Sequence, residues 1–509
     1  MSNVKDALQT LQLPDQERYL WIDSICIRQD DQTEKAWQIG LMKDIFGGAA
    51  TVIGWLGRGR ESRGALSQLV GLPAIAVVES ERLLSLDPKS TNFSLRGSKW
   101  RAVTNLLRNK WFCRVWMVQE VACGKRLVLR HGEEQCDWDT LVEVVNKVYQ
   151  QEPSIRSCLF IGTASVLPGG FDRSVIRGFS NIHEMETIRH SFKVTGGLSP
   201  GFLLRSCTRF EATFLKDKVY ALSGLLAKSF PQAEIDYTES TTDRSVILNA
   251  AKNALVDGDI SLIDLAGCVD RSLEADELKL PSWCPDLFAS LQPTRGASND
   301  GLSFRAATHL KSSICRLQND EDLISVRGTI TGKIAQLGQI WRIETIQRDQ
   351  LLARPEKSFQ QILALVRESL KLAKGSSMDL YPYEDYEELL WRTVTGDACE
   401  LIAGHSLPKL RATFCKLHTT DSVVMDDELD PEDRENVGKI LYAVGRMMGN
   451  SRLCRTLAGR LGVVPAGARV GEEIAALWGA CNLSVLRRSE EGIQNLGMGY
   501  RFVGSCYVQ

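Results

Sequence analysis

Residues Trp111 to Glu120 read WFCRVWMVQE, and in a helix Trp116 and Glu120, four positions apart, share one face. A carboxylate beside an indole can hold a flat cationic ring between its charge and the π-face. Glu120 is therefore the candidate catalytic carboxylate. It can equally be an exposed or backbone-bonded helix glutamate that fixes its domain. Trp116 is either a stacking platform or a core residue. Arg114 is placed to pair with an acid such as Asp23, an ion pair that would orient a site or brace it.

Two further groups could line such a site. Asp23 follows the apolar run Tyr19 to Ile22, with Ile25 and Ile27 beyond it. As a buried parallel strand, that run would set a carboxylate at a strand's C-terminal end, where open α/β sheets bind ligands. Asp23 can instead cap the loop that follows. Arg58 and Arg60 flank Gly59 after the apolar run Thr51 to Leu56. Guanidinium groups and turn amides suit phosphate, although this Gly-x-Gly lacks full dinucleotide spacing and a solvated turn explains it as well.

The elements that would carry these residues have local signatures. Asp31, with Glu34 three positions later, fits a helix-capping box. Trp37, Leu41, Met42, Ile45, Phe46 and Ala49 recur at helical spacing, and Gly47-Gly48 marks the end. Thr51 to Leu56 and Lys125 to Arg130 read as strands, Arg114 to Cys123 as a helix, and Trp138 to Tyr149 as a helix capped by Asp137. Trp21, Trp37, Trp55 and Trp111 read as core. Alternating strands and helices predict an α/β domain over residues 1–150.

Beyond it, residues 151–455 read as a mainly helical middle region and 456–509 as a small β-rich module. Helical spacing covers 206–226, 241–257, 358–372, 386–394 and 431–448, and 322–328 and 329–343 look extended. A polar insertion, Ser62 to Lys99, interrupts the first domain, and loops centre on Gly169-Gly170 and Gly196-Gly197.

Composition narrows the function. The 509 residues carry Lys+Arg 61 against Asp+Glu 63, a net charge of -2, which argues against nucleic acid or an anionic membrane surface as partner. Arg487-Arg488 reads as a solvated face. No apolar run approaches the roughly 18 residues of a membrane span, and the N-terminal residues show no signal-peptide pattern. The 14 Cys form no Cys-x-x-Cys pair and the 6 His form no His-Glu-x-x-His, so no metal site is expected. Scattered thiols suit a reducing, cytoplasmic setting. Nucleophile-elbow, P-loop and kinase signatures are absent.

The blocks LWIDSICIRQDD…EK, GLMKDIF..A..VIGWLG and WFCRVWMVQEV, in that order and spacing, resemble the HET domain of fungal heterokaryon-incompatibility proteins. The resemblance continues more weakly through KDKVYALSGL (216–225), Ile235-Asp236-Tyr237, LPSWCPD (280–286) and the Gly-rich run Arg460 to Tyr507. HET domains usually open on a strand ending in a Ser-Tyr-x-Trp-Gly type motif. Here MSNVKDALQTLQLPDQER precedes Tyr19, so the resemblance implies a TIR- or flavodoxin-like parallel sheet lacking its first strand.

Through the distant similarity of HET to TIR domains, it also implies cleavage of NAD at the nicotinamide–ribose bond. Glu120 would be the catalytic carboxylate, Trp116 would hold the nicotinamide, and Asp23, Arg58 and Arg114 would bind the rest. NAD would be substrate, with no cofactor required. The implied role is an effector or signalling component of non-self recognition and programmed cell death, partnered by itself or by other incompatibility proteins. The alternatives are a non-catalytic self-association module, joined through an open sheet edge, and a degenerate domain without activity.

Overall fold

A computed structural model of the chain describes residues 2–58, 64–67, 105–151, 173–230, 234–268, 278–285, 287, 306, 314–316, 322–341, 365–366, 368–374, 385–396, 407–419, 440, 444, 447–489 and 499–509. Described residues up to Asn253 form one compact unit, and those from Ala254 onward form another.

The first unit is built on a three-stranded sheet. Strands β1 (Val52–Trp55) and β2 (Leu127–His131) run parallel, Val52 opposite Leu127. Strand β3 (Glu134–Asp137) turns back antiparallel to β2 through Gly132, which takes a positive φ of 58°. Helices surround it: α1 (Ser2–Leu11), the short α2 (Asp23–Cys26), α3 (Gln32–Gly48), α4 (Trp116–Cys123) and α5 (Trp138–Gln151). They are followed by α6 (Arg173–Thr195), α7 (Pro200–Cys207) and α8 (Asp217–Tyr220), and α9 (Asp243–Val256) begins in this unit.

Caps set several boundaries. The Asp31 carboxylate accepts the N–H groups of Thr33 and Glu34, as the capping motif predicted, but Glu34 takes the Arg28 N–H at 3.3 Å. Ser199 caps α7 with Pro200 in its first turn. Between α5 and α6, the fully buried Trp138 donates its indole N–H to Glu186 at 2.7 Å, and the buried Arg189 reaches Asp139 at 2.7 Å. Gly178 in α6 lies so close to the chain before α4 that an added Cβ would stand 2.2 Å from the Leu107 carbonyl oxygen.

The sequence-based expectations hold for α3, β1, α4, β2 and α5 within a residue or two. Three do not. Tyr19 to Ile22 is no strand: it pairs with no strand among the described residues, Tyr19 is 91% exposed, and the chain turns into α2 at Asp23. Trp21 instead meets the ring of Phe46 edge-on at 5.6 Å. Trp37 lies on the solvent side of α3, 63% exposed, while Ile39 and Met42 carry the buried face; Trp21 and Trp55 are only partly buried. Residues 206–226 are not one helix but α7, a turn, α8 and a 3-10 turn at Ser223–Leu225. Apart from 64–67, the insertion Ser62 to Lys99 lies outside the described residues, as do Gly59-Arg60, the loop at Gly169-Gly170 and most of the expected helices at 358–372 and 431–448.

The second unit closes a six-stranded antiparallel barrel, in the order β10-β11-β8-β7-β6-β9. These strands are β6 (Gly328–Trp341), β7 (Ser451–Thr456), β8 (Leu461–Pro465), β9 (Glu473–Leu477), β10 (Leu483–Arg488) and β11 (Tyr500–Val508); a hairpin, β4 (Ile314–Arg316) with β5 (Ile324–Val326), precedes them. Register shifts along β6 let one strand pair with both β9 and β7, as barrel corners require. Ile334, Val464, Ile474 and Val485 fill the interior. Arg487 and Arg488 are not a bare solvated face: they pair with the buried Glu472 and Glu473 at 2.5 and 2.6 Å. Helices α10 (Tyr386–Thr395) and α11 (Leu407–Thr419) contribute Trp391 and Phe414, 4.9 Å apart, to a second apolar cluster. No described helix is long and apolar enough to cross a membrane.

Two glycine substitutions should separate close packing from backbone freedom. Gly178→Ala is expected to destabilise the first unit by about 1–3 kcal/mol, because backbone cannot yield to the new methyl. Gly40→Ala, in α3 with nothing within 4 Å of the added Cβ, is expected to stabilise it by about 0.5–1 kcal/mol. Thermal melts of the two variants against wild type read both signs.

Candidate functional site

Helix α4 is fixed at its start by backbone on both sides. The Asn109 side chain accepts the Trp111 N–H at 3.0 Å and donates to the Leu56 carbonyl at 2.7 Å, tying the turn before α4 to the end of β1. Val115 N–H donates to the Glu211 carbonyl at 2.9 Å. Met117, Val118, Val121 and Ala122 are buried, which sets the rotation of the helix and sends Trp116 and Glu120 to another face.

The segment 217–224 then grips α4. Trp116 donates its indole N–H to Asp217 Oδ2 at 3.1 Å, and Tyr237 donates its hydroxyl to Asp217 Oδ1 at 2.6 Å. Both carboxylate oxygens of this buried aspartate therefore have partners. With its amide oriented to suit both neighbours, Gln119 donates to the Ala221 carbonyl at 2.8 Å and accepts the Lys43 N–H at 3.0 Å. Gly224 makes room for it: a Cβ there would stand 2.5 Å from the Gln119 amide. The buried Lys218 donates to the carbonyls of Thr208 at 2.9 Å and of Phe210, closing the turn that interrupts the expected 206–226 helix.

Glu120 is the most perturbed carboxyl of the candidate set. Burial pushes it up to about 8, the charge of Asp23 adds to the rise, and Arg114 opposes it. Asp23, Arg114 and Glu120 thus form one electrostatic group, with Trp116 on the same helix as the glutamate. Asp23 is exposed at the start of α2, where its carboxylate accepts the Ser24 N–H at 2.7 Å. Arg114 is exposed, on a residue bridged to Glu211. Arg58 goes elsewhere: its guanidinium bonds Thr10 Oγ1 at 2.6 and 3.0 Å and lies 3.7 Å from the Asp6 carboxylate, so it is held on α1.

Glu120 therefore keeps its proton at neutral pH beside a second acid. A bound positive charge would favour the ionised form and release the proton. Among the described residues, no group of three or more His, Cys, Asp or Glu side chains could hold a metal ion. Asp217, Gln119 and Tyr237 were not expected in this framework. Gln119 lies within the WFCRVWMVQE block, and the trace of Asp217 and Tyr237 in the sequence is the pair of segments KDKVYALSGL and Ile235-Asp236-Tyr237, roughly a hundred residues beyond α4.

Residues 1–120, which hold β1 and the start of α4 with Glu120, match the family model described as Heterokaryon incompatibility protein (HET). The chain is also similar to Heterokaryon incompatibility protein 6, OR allele, of Neurospora crassa: 26% identical over 430 residues, covering 74% of this chain and 60% of that relative. The chain thus spans 60% of the length of the curated relative it matches. No solved structure gives a significant match.

The raised Glu120 pKa has a signed consequence for stability. The folded state keeps this proton up to about 8, whereas the unfolded chain releases it near the ordinary 4.5. Between those values the folded state binds more protons, so this group's contribution to stability falls as pH rises. Glu120→Gln removes the titration. Its melting temperature relative to wild type is expected to be higher at about pH 9 than at about pH 4; a difference independent of pH would contradict the assignment.

Proposed function

We propose that this chain acts in the cytoplasm in fungal heterokaryon incompatibility, as an effector or signalling component of cell death, and that its HET segment cleaves NAD at the nicotinamide–ribose bond. The observation that carries the enzymatic part is the convergence of Asp23 and Arg114 on Glu120, four residues from Trp116 on one helix. The match of residues 1–120 to the HET family and the similarity to an incompatibility protein of Neurospora support the biological role. The distant likeness of HET to TIR domains, with the parallel β1–β2 pair and the α4 glutamate, supports the reaction.

In the proposed reaction the cationic nicotinamide ring lies beside Trp116, its positive charge facing Glu120 and Asp23. That charge favours the ionised form, so Glu120 gives its proton to water on binding and recovers one when the products leave; meanwhile the carboxylate stabilises the oxocarbenium character that develops as the C–N bond breaks. Nicotinamide leaves with the bonding pair and becomes neutral. Water adds to the ribose carbon and loses a proton, giving ADP-ribose, nicotinamide and one proton per NAD. The chemistry needs no metal or redox partner. Arg114 would meet the diphosphate or balance the two acids. Arg58, engaged by α1, would reach substrate only by leaving Thr10 and Asp6.

A second reading, a self-associating module without turnover, is favoured by the exposed Tyr19 (91%), Ile25 (57%) and Trp37 (63%) of the first sequence block. One experiment separates the two. Purified protein at high concentration is incubated with NAD while nicotinamide release is followed, alongside Glu120→Ala. Release by wild type, with a loss of about a hundredfold or more in the variant, is expected of a residue acting at the reacting bond. No release from either, with a sedimentation coefficient that rises with concentration, supports the module instead.

A further inference from the structure

We propose that Phe214 and Tyr237 form a binding site for a small quaternary ammonium cation, a site that the side chain of Lys35 occupies in this structure. The Lys35 ammonium stands 4.0 Å from the centroid of the Tyr237 ring and 4.9 Å from that of Phe214. The two rings are 6.5 Å apart and cross at 78°, so they form two walls of a corner. Tyr220 backs Tyr237 edge-on at 5.3 Å, and the Tyr237 hydroxyl is anchored on Asp217 at 2.6 Å. The inner wall is thereby held rigid, with a buried carboxylate behind it. The outer wall is open: Phe214 is 55% exposed.

This geometry selects the ligand class. Ring faces attract a positive charge, but they satisfy N–H donors poorly. A primary ammonium entering the corner gives up hydration that aromatic carbon does not replace. A quaternary ammonium has no N–H to leave unsatisfied, and its methyl skin gains from contact with the rings. Lys35 holds the site because it is tethered there, in the first turn of a helix whose cap, Asp31, fixes the backbone. It competes as an intramolecular ligand whose effective concentration a free cation must overcome. Tyr237 reaches Trp116 through their shared acceptor, Asp217, so occupancy of the corner would be felt at the start of α4. The site itself involves neither Glu120 nor NAD.

The test uses the full chain and tetramethylammonium chloride, with sodium chloride at matched ionic strength as the reference. Lys35→Ala is expected to bind tetramethylammonium about tenfold more tightly than wild type, the scale of one cation–π interaction. Lys35→Arg, which keeps a cation in the corner, should bind as weakly as wild type, and Tyr237→Leu in the Lys35→Ala background should abolish the gain. Affinity in Lys35→Ala equal to that of wild type, or a gain that survives Tyr237→Leu, overturns the proposal. A measurement on wild type needs no variant to fold: amine labelling of Lys35, read by mass spectrometry, should accelerate severalfold in tetramethylammonium while other lysines do not change. An unchanged Lys35 rate overturns it equally.

Discussion

The Asp217 carboxylate holds the first unit's site together. One oxygen takes the indole N–H of Trp116 and the other the hydroxyl of Tyr237, so a single buried charge joins α4 to two segments about a hundred residues further on. Burying a carboxylate is costly unless its lone pairs are used, and here both oxygens are. Leaving such a partner unmet costs about 1–3 kcal/mol each. Gln119 seated over Gly224, and Lys218 across the carbonyls of Thr208 and Phe210, extend the same contact. Helix α4 has only eight residues and a largely apolar buried face. Without these polar ties its rotation would rest on packing alone, and so would the direction of Glu120.

That direction sets the electrostatics. Burial removes water from the Glu120 carboxyl, and Asp23 adds a like charge, so the proton stays on at neutral pH. Arg114 offsets only part of this. An acid pair partly relieved by one guanidinium is poised for a ligand that brings positive charge, and less so for an anion. The nicotinamide ring of the proposed substrate, cationic before bond cleavage and neutral after it, would bring such a charge. The release of Arg58 to α1 points the same way, since the guanidinium best placed by sequence for a phosphate is engaged by Asp6 and Thr10.

What could be read from the sequence was what neighbouring residues decide. The cap at Asp31, the helices at 116–123 and 138–151 and the strands at 52–55 and 127–131 all follow from periodicity and capping within a few residues. The shared face of Trp116 and Glu120 follows from helical spacing. Features that depend on distant partners were not readable. Tyr19 to Ile22 has strand composition but pairs with no strand among the described residues. Trp37 shares a helical apolar stripe with Met42, yet Met42 is buried and Trp37 stays 63% exposed. Residues 206–226 keep helical spacing, yet Lys218 bonds back to Thr208 and Phe210 and the chain turns. Arg487 and Arg488 look solvent-facing until β9 brings Glu472 and Glu473 across from them. In the site, Asp217 and Tyr237 gave no local sign of their role, because an acid in an apolar segment does not reveal which indole or phenol will meet it.

Glu120 is a carboxyl that retains its proton at neutral pH, proposed to act beside a cationic nicotinamide ring. This is tested most directly by titrating that carboxyl, with carbon-detected resonance of labelled glutamate assigned through Glu120→Gln, in the presence and absence of NAD. An apparent pKa of about 8 is expected in the free protein, falling when NAD is bound. Titration near the ordinary 4.5, unmoved by NAD, would contradict it.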